Sequence, residues 1–186
     1  LILLTDYPQA FNVFEEIHAV DSTNVMFNKY GALAAFKAKK LKRAVELYDV
    51  YLTQNPKDLG AYFNLANAFE RLNRKTQSLN TYLKAMRQFP NNKSLLLKTA
   101  NFTFEIKNFE FAQSLYNQYM SKYDTLLPVL LNYGICLYHN KQTEAAIEML
   151  EMCYSNAPND VYVNFYLGVC HKRLENYDLA ANYLDF

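Results

Sequence analysis

A chain of 186 residues with 19 Lys and Arg against 18 Asp and Glu has a formal charge of +1, so nothing in its bulk charge marks it for nucleic acid or an anionic membrane. About half of it is apolar, yet no uncharged stretch approaches the roughly 18 residues of a membrane span, and the opening LILL is too short for a signal-peptide core. Three cysteines without CxxC spacing argue against a disulfide framework or a zinc site, and four glycines and five prolines leave few loop-makers, as in a mostly helical chain.

In chain order, residues 5–19 have the pattern of one helix, with Ala10 and Phe14 on its apolar face, and LILL reads as the end of a helix before it. From residue 25 a paired-helix unit begins: Ala32 on a first helix, a basic turn, then Ala44 and Tyr48 on a second, and Pro56 after it. The unit returns over 59–92 with Ala66, Ser78, Tyr82 and Pro90, and over 93–126 with Ala100, Ala112 and Tyr116. Asp124 stands there in place of proline. Residues 127–160 carry Gly134, Ala146, Leu150 and Pro158, and a shortened unit over 161–186 carries Gly168, Ala180 and Leu184. Residues 1–24 are then a partial unit, mainly its second helix.

The spacing is 34 residues throughout, with no gap needed. Small residues recur where two helices must approach closely, and large apolar residues recur at the i+3, i+4 and i+7 steps that make one buried stripe. Proline follows the second helix, where it cannot extend it. AYFNLANAFERLNRKTQSLNTYLKAMRQFPNN, 61–92, and LGVCHKRLENYDLAANYL, 167–184, carry the pattern most fully. In these columns the chain resembles the tetratricopeptide repeat over almost its whole length. Tyr51 and Tyr119, at a position usually small in that family, and Asp124 are modest departures that imply local repacking.

The resemblance implies an all-α, right-handed superhelical solenoid of helix-turn-helix repeats forming one domain. Both ends fall inside a repeat and neither shows a polar capping helix, so the chain reads as an excerpt of a longer array. The resemblance also implies that the first helices line a concave groove that takes an extended peptide or a partner's helix. On the family pattern Tyr30, Asn64, Lys98, Asn132 and Tyr166 share one groove position, Asn67 and Asn101 a second, and Arg71 and Tyr138 lie near the end of the first helix. Asn64, Asn67, Lys98, Asn101 and Asn132 form a polar strip. Asparagine offers both a donor and an acceptor, enough to hold a peptide group by its backbone. The same residues also suit a merely solvated face, and the sequence leaves both readings open. Phe36, Phe104 and Tyr138 fit either a helix-gripping wall or packing between repeats.

The lysine at position 5 and asparagine at position 9 that co-chaperone repeats use on a C-terminal carboxylate never occur together: Lys29 is followed by Leu33, and Asn67 and Asn101 by contrast follow Phe63 and Leu97. The turns inside the repeats are basic, holding twelve of the 19 Lys and Arg; FKAKKLKRA, 36–44, has five of these. A solvated edge or an acidic partner would account for them.

Glycine-rich phosphate loops, HExxH and a nucleophile elbow are absent from the sequence. Cys170 and His171 adjoin, but neighbouring helix positions face apart, so they make no nucleophile pair. The expectation is a non-enzymatic, cytoplasmic protein-interaction scaffold without cofactor, metal or catalytic residues, with a protein or peptide as partner and neither nucleic acid nor a membrane span. The alternative is the substrate-recognition arm of a multidomain enzyme such as a protein glycosyltransferase. The apolar ends, LILL and Leu184 with Phe186, would also allow self-association.

Overall fold

The structure, a computed structural model, describes residues 6–21 and 24–185; LILL and Phe186 lie outside them. Within these residues the chain is all helix and turn: α1 (Tyr7–Val20), α2 (Val25–Lys37), α3 (Leu41–Gln54), α4 (Leu59–Arg71), α5 (Lys75–Gln88), α6 (Lys93–Glu105), α7 (Phe109–Met120), α8 (Leu127–His139), α9 (Thr143–Asn156), α10 (Val161–Arg173) and α11 (Tyr177–Leu184). The first helices α2, α4, α6, α8 and α10 begin 34 residues apart, and so do the second helices α1, α3, α5, α7, α9 and α11. This is a helical-repeat solenoid. It divides into two compact units, one ending at Leu95 and the other beginning at Leu96.

Four of the five first helices start by one device, and all five stop by another. Asn24, Asp58, Asn92 and Asp160 accept backbone N–H groups of the following first turn, satisfying donors that have no partner inside the helix. The fifth such position is Leu126, which caps nothing; Pro128 pre-sets the first turn there instead. At the other end, Lys39, Asn73, Lys107, Lys141 and Glu175 all take φ between 56° and 63°. In each turn the next residue's N–H reaches a carbonyl five residues back, as Lys40 does to Ala35 at 2.8 Å and Gln142 to Leu137 at 2.9 Å. That is the left-handed helix stop for which glycine is the usual residue, made here five times without one.

Inside a repeat the two helices meet through a small residue and a large one. Ala32, Ala66 and Ala100 are fully buried, as are the rings of Tyr48, Tyr82 and Tyr116. Where leucine replaces tyrosine the alanine becomes glycine: a Cβ on Gly134 would stand 3.1 Å from Leu150 Cγ, and one on Gly168 only 2.5 Å from Leu184 Cγ. A flat ring slides past a methyl group, whereas the branch of leucine needs the space that glycine leaves.

The departures noted in the sequence are absorbed locally. Tyr51 and Tyr119 are both buried. The Tyr51 hydroxyl donates to Asp58 Oδ2 at 2.8 Å, and Lys29 Nζ meets the same oxygen at 2.8 Å. All three cysteines are buried free thiols. Burial pushes Cys136 up to about 12; it lifts Cys153 to about 11 with help from Asp160, and Cys170 to about 11 against the pull of Arg173. They stay protonated and pack as small apolar groups.

Candidate interaction face

In the second unit the asparagines of the polar strip are organised by a buried tyrosine. The Tyr116 ring on α7 is enclosed, and its buried hydroxyl reaches between side chains of α6 and α8. There it donates to Asn101 Oδ1 at 2.7 Å and accepts from Asn132 Nδ2 at 3.1 Å. Burial raises this phenol far above its ordinary range, against the opposing pull of Asn132, so the hydroxyl keeps its proton. One hydroxyl proton therefore sets the orientation of both amides. Asn101 turns its NH2 outward and Asn132 its carbonyl, a donor and an acceptor side by side on half-buried residues. Lys98 stands half-buried one turn earlier on α6.

Where leucine takes the place of tyrosine, the face becomes aromatic. Tyr138 on α8 and Tyr166 on α10 meet edge to face at 5.6 Å, with His139 against both and Phe165 against Tyr166. His139 lies flat on Phe109 at 3.9 Å, and Phe109 in turn packs on Phe104. The Arg173 guanidinium covers the Tyr138 ring at 3.7 Å, and its Nη1 donates to the Tyr138 carbonyl at 2.6 Å. Burial, then the charges of Arg173 and Lys107, hold the His139 imidazole below its usual pKa.

The first unit repeats parts of this. Burial lifts the Tyr48 phenol to about 12, and the Asn64 side chain, facing it, opposes that rise without closing a well-formed hydrogen bond. Asn67 is half-buried on the same helix. One turn on, Glu70 Oε1 accepts from Tyr82 at 2.7 Å and from Ser78 at 3.3 Å. Arg71 covers the Phe36 ring at 4.6 Å, as Arg173 covers Tyr138. Tyr30 sits apart from these, in an apolar groove of about 780 Å³ between α1 and α2 that Phe14, Ile17 and Phe27 also line.

Of the residues singled out in the sequence, the structure thus joins Asn101 with Asn132 and Tyr138 with Tyr166. Arg71 is committed to a ring, and Tyr30 belongs to a separate groove. Tyr116 and Lys107 were not singled out as contacts, whereas the family pattern puts Lys37, Arg71, Glu105, His139 and Arg173 at one groove position, of which the structure links His139 and Arg173. Their signal was present as a spacing of 35: an aromatic residue at 36, 104 and 138 is followed by Arg71, His139 and Arg173. Among the described residues no group of three or more His, Cys, Asp or Glu could hold a metal ion, and no helix is long and apolar enough to cross a membrane.

Family models described as tetratricopeptide repeat match residues 31–93 and 129–160. No curated protein matches the chain. Among solved structures, it is similar to YrrB, titled "a TPR protein with an unusual peptide-binding site", with a TM-score of 0.72 and 17% identity over 92% of this chain and 89% of that one. It is similar also to MamA MSR-1, with a TM-score of 0.71 and 12% identity over 87% and 92% of the two chains. MamA from Desulfovibrio magneticus RS-1 gives a TM-score of 0.71 and 13% identity over 87% and 91%. At these identities the likeness is one of fold.

Proposed function

Because this chain belongs to the tetratricopeptide repeat family, we propose that it is a protein-interaction scaffold whose first helices hold an extended segment of a partner protein. The observation that carries the reading is the Asn101–Tyr116–Asn132 relay. A peptide group presents one N–H and one carbonyl, and the relay presents their complements on neighbouring helices. The buried hydroxyl holds both amides in place before a ligand arrives, which lowers the entropy lost on binding. Each such hydrogen bond adds about 0.5–1.5 kcal/mol, so a few of them suit reversible, micromolar recognition.

The fold of YrrB, whose title names a peptide-binding site, supports the same reading. The test pans a random peptide library against the chain and measures selected peptides by fluorescence anisotropy. Asn101→Ala with Asn132→Ala removes the donor and acceptor and is expected to weaken every selected peptide. Tyr116→Phe keeps both amides but releases their orientation, and is expected to weaken binding less. Selected peptides that ignore all three substitutions would refute the assignment.

A further inference from the structure

The polar relay reads a peptide's backbone and leaves its side chains unaddressed. Beside it, on the same unit, basic side chains of three successive repeats are linked through their rings: Arg173 at the end of α10 covers Tyr138, Tyr138 meets His139 at the end of α8 at 5.3 Å, and His139 stacks on Phe109, two residues after Lys107 in the turn after α6. The charges that act on His139 are those of Lys107 and Arg173, both positive. Glu105, at the end of α6, acts instead on Tyr116, at the relay. Arg173 is held rigidly for so exposed a residue. Its plane rests on the Tyr138 ring, and its Nη1 serves the Tyr138 carbonyl, with Thr143 Oγ1 at 3.5 Å. That leaves the opposite edge of the guanidinium, Nε and Nη2, for an external acceptor in the planar geometry that suits an oxyanion.

We propose that Arg173, His139 and Lys107 recognise an oxyanion-bearing side chain, carboxylate or phosphate, on the peptide whose backbone Asn101 and Asn132 hold. The proposal rests on the peptide-binding reading above and adds the chemical class of the ligand. The aromatic residues around the cluster narrow that class. The face of Tyr138 is taken by Arg173 and that of Phe109 by His139, while Tyr166 meets its neighbours edge to face. An aromatic cage for an alkylammonium ion needs open faces without resident cations, which this cluster does not offer. The rings here serve as the bed on which the cations are oriented.

His139 makes the site sensitive to pH. Burial first, and then both neighbouring charges, oppose its protonation, whereas a bound oxyanion favours it, so proton and anion bind together. Affinity for an acidic side chain should therefore rise as pH falls from 8 towards 6, while a neutral analogue shows no such change.

The experiment uses peptides selected by panning a random library on the chain, resynthesised with glutamate, glutamine or phosphoserine at the position of greatest acidic enrichment, and read by fluorescence anisotropy. The glutamine form should bind about tenfold more weakly than the glutamate form. Arg173→Gln should abolish that difference, and Lys107→Gln, at an exposed turn, should reduce it about threefold without touching the packed rings. Phosphoserine binding about tenfold more tightly than glutamate would assign the site to phosphate; equal or weaker binding would assign it to carboxylate. Selected binders with no acidic preference, or discrimination that survives both substitutions, would overturn the anion site while leaving the groove intact. Acidic peptides indifferent to Asn101→Ala with Asn132→Ala would instead overturn the backbone reading. A library that yields no binders overturns both.

Discussion

Replacing Lys39, Lys141 and Glu175 with glycine should stabilise the protein. Each occupies the left-handed stop of a first helix, with φ of 61°, 63° and 63°. A Cβ there crowds the neighbouring carbonyl at a cost of about 1–2 kcal/mol, and glycine gives back about 0.5–1 kcal/mol in the entropy of the unfolded chain. The net gain is about 0.5–1 kcal/mol per site. Lys39 lies in the first unit and the other two, 34 residues apart, in the second, so the gains should add to roughly 1.5–3 kcal/mol. For a chain of this size that is about 3–12 °C in melting temperature, measurable by circular dichroism at 222 nm. Asn73→Gly is the internal control, since asparagine already tolerates φ of 56°, and its gain should be near zero. Equal gains at Asn73 and Lys39, or losses at the lysines, would refute the strain argument.

Leu126→Asp should add the missing N-cap to α8: Leu126 is half-exposed with extended backbone, ψ 144°, and the gain should be about 1 kcal/mol in urea unfolding. Gly134→Ala should cost about 1–3 kcal/mol, because its methyl group would meet the fully buried Leu150. Gly168→Ala should cost less despite the shorter 2.5 Å approach, because Leu184 is 42% exposed and free to turn away; the reverse order in thermal melts would contradict this. Burial opposes ionisation of Asp58, but Lys29, the Ala61 N–H and Tyr51 together outweigh it and hold the carboxyl below its ordinary pKa. Its contribution is thus present above pH 4 or so and lost as pH falls through the lowered value. Lys29, raised chiefly by Asp58, keeps its charge until pH passes its own usual range. Asp58→Asn should therefore flatten the fall in stability between pH 5 and 2.

The solenoid was legible in the sequence because its helices are set by a 34-residue period that the order of residues alone reveals, with Ala44, Ser78, Ala112, Ala146 and Ala180 marking one column. The candidate face was legible only as a set of positions. Asn101 and Asn132 could be placed on it, but their common partner could not, because the link runs through the hydroxyl of a tyrosine that the repeat pattern treats as core. The polar strip follows the tyrosine column: Asn64 faces Tyr48 and Asn132 meets Tyr116, and it gives way to Ile135 and Tyr166 once Leu150 removes the hydroxyl. Arg173 could likewise be placed at a groove position, but its partner could not. A basic residue at a helix end is expected from the macrodipole, and only its stacking on Tyr138, one repeat back, shows a further commitment.

The pairing of Gly134 with Leu150, against Ala100 with Tyr116, bears on how such an array can be rearranged. Small and large partners belong to the two helices of one repeat, so a recombination between them would join alanine to leucine or glycine to tyrosine, a clash or a void. A junction at the loop before a first helix leaves each pair whole and severs contacts between repeats instead, such as the Asn132–Tyr116 and Gln113–Gln142 hydrogen bonds. Repeats of this chain should therefore be shuffled, duplicated or deleted with least damage in blocks that begin at Val25, Leu59, Lys93, Leu127 or Val161, and a deletion series with endpoints moved by half a repeat would show the difference as lost expression.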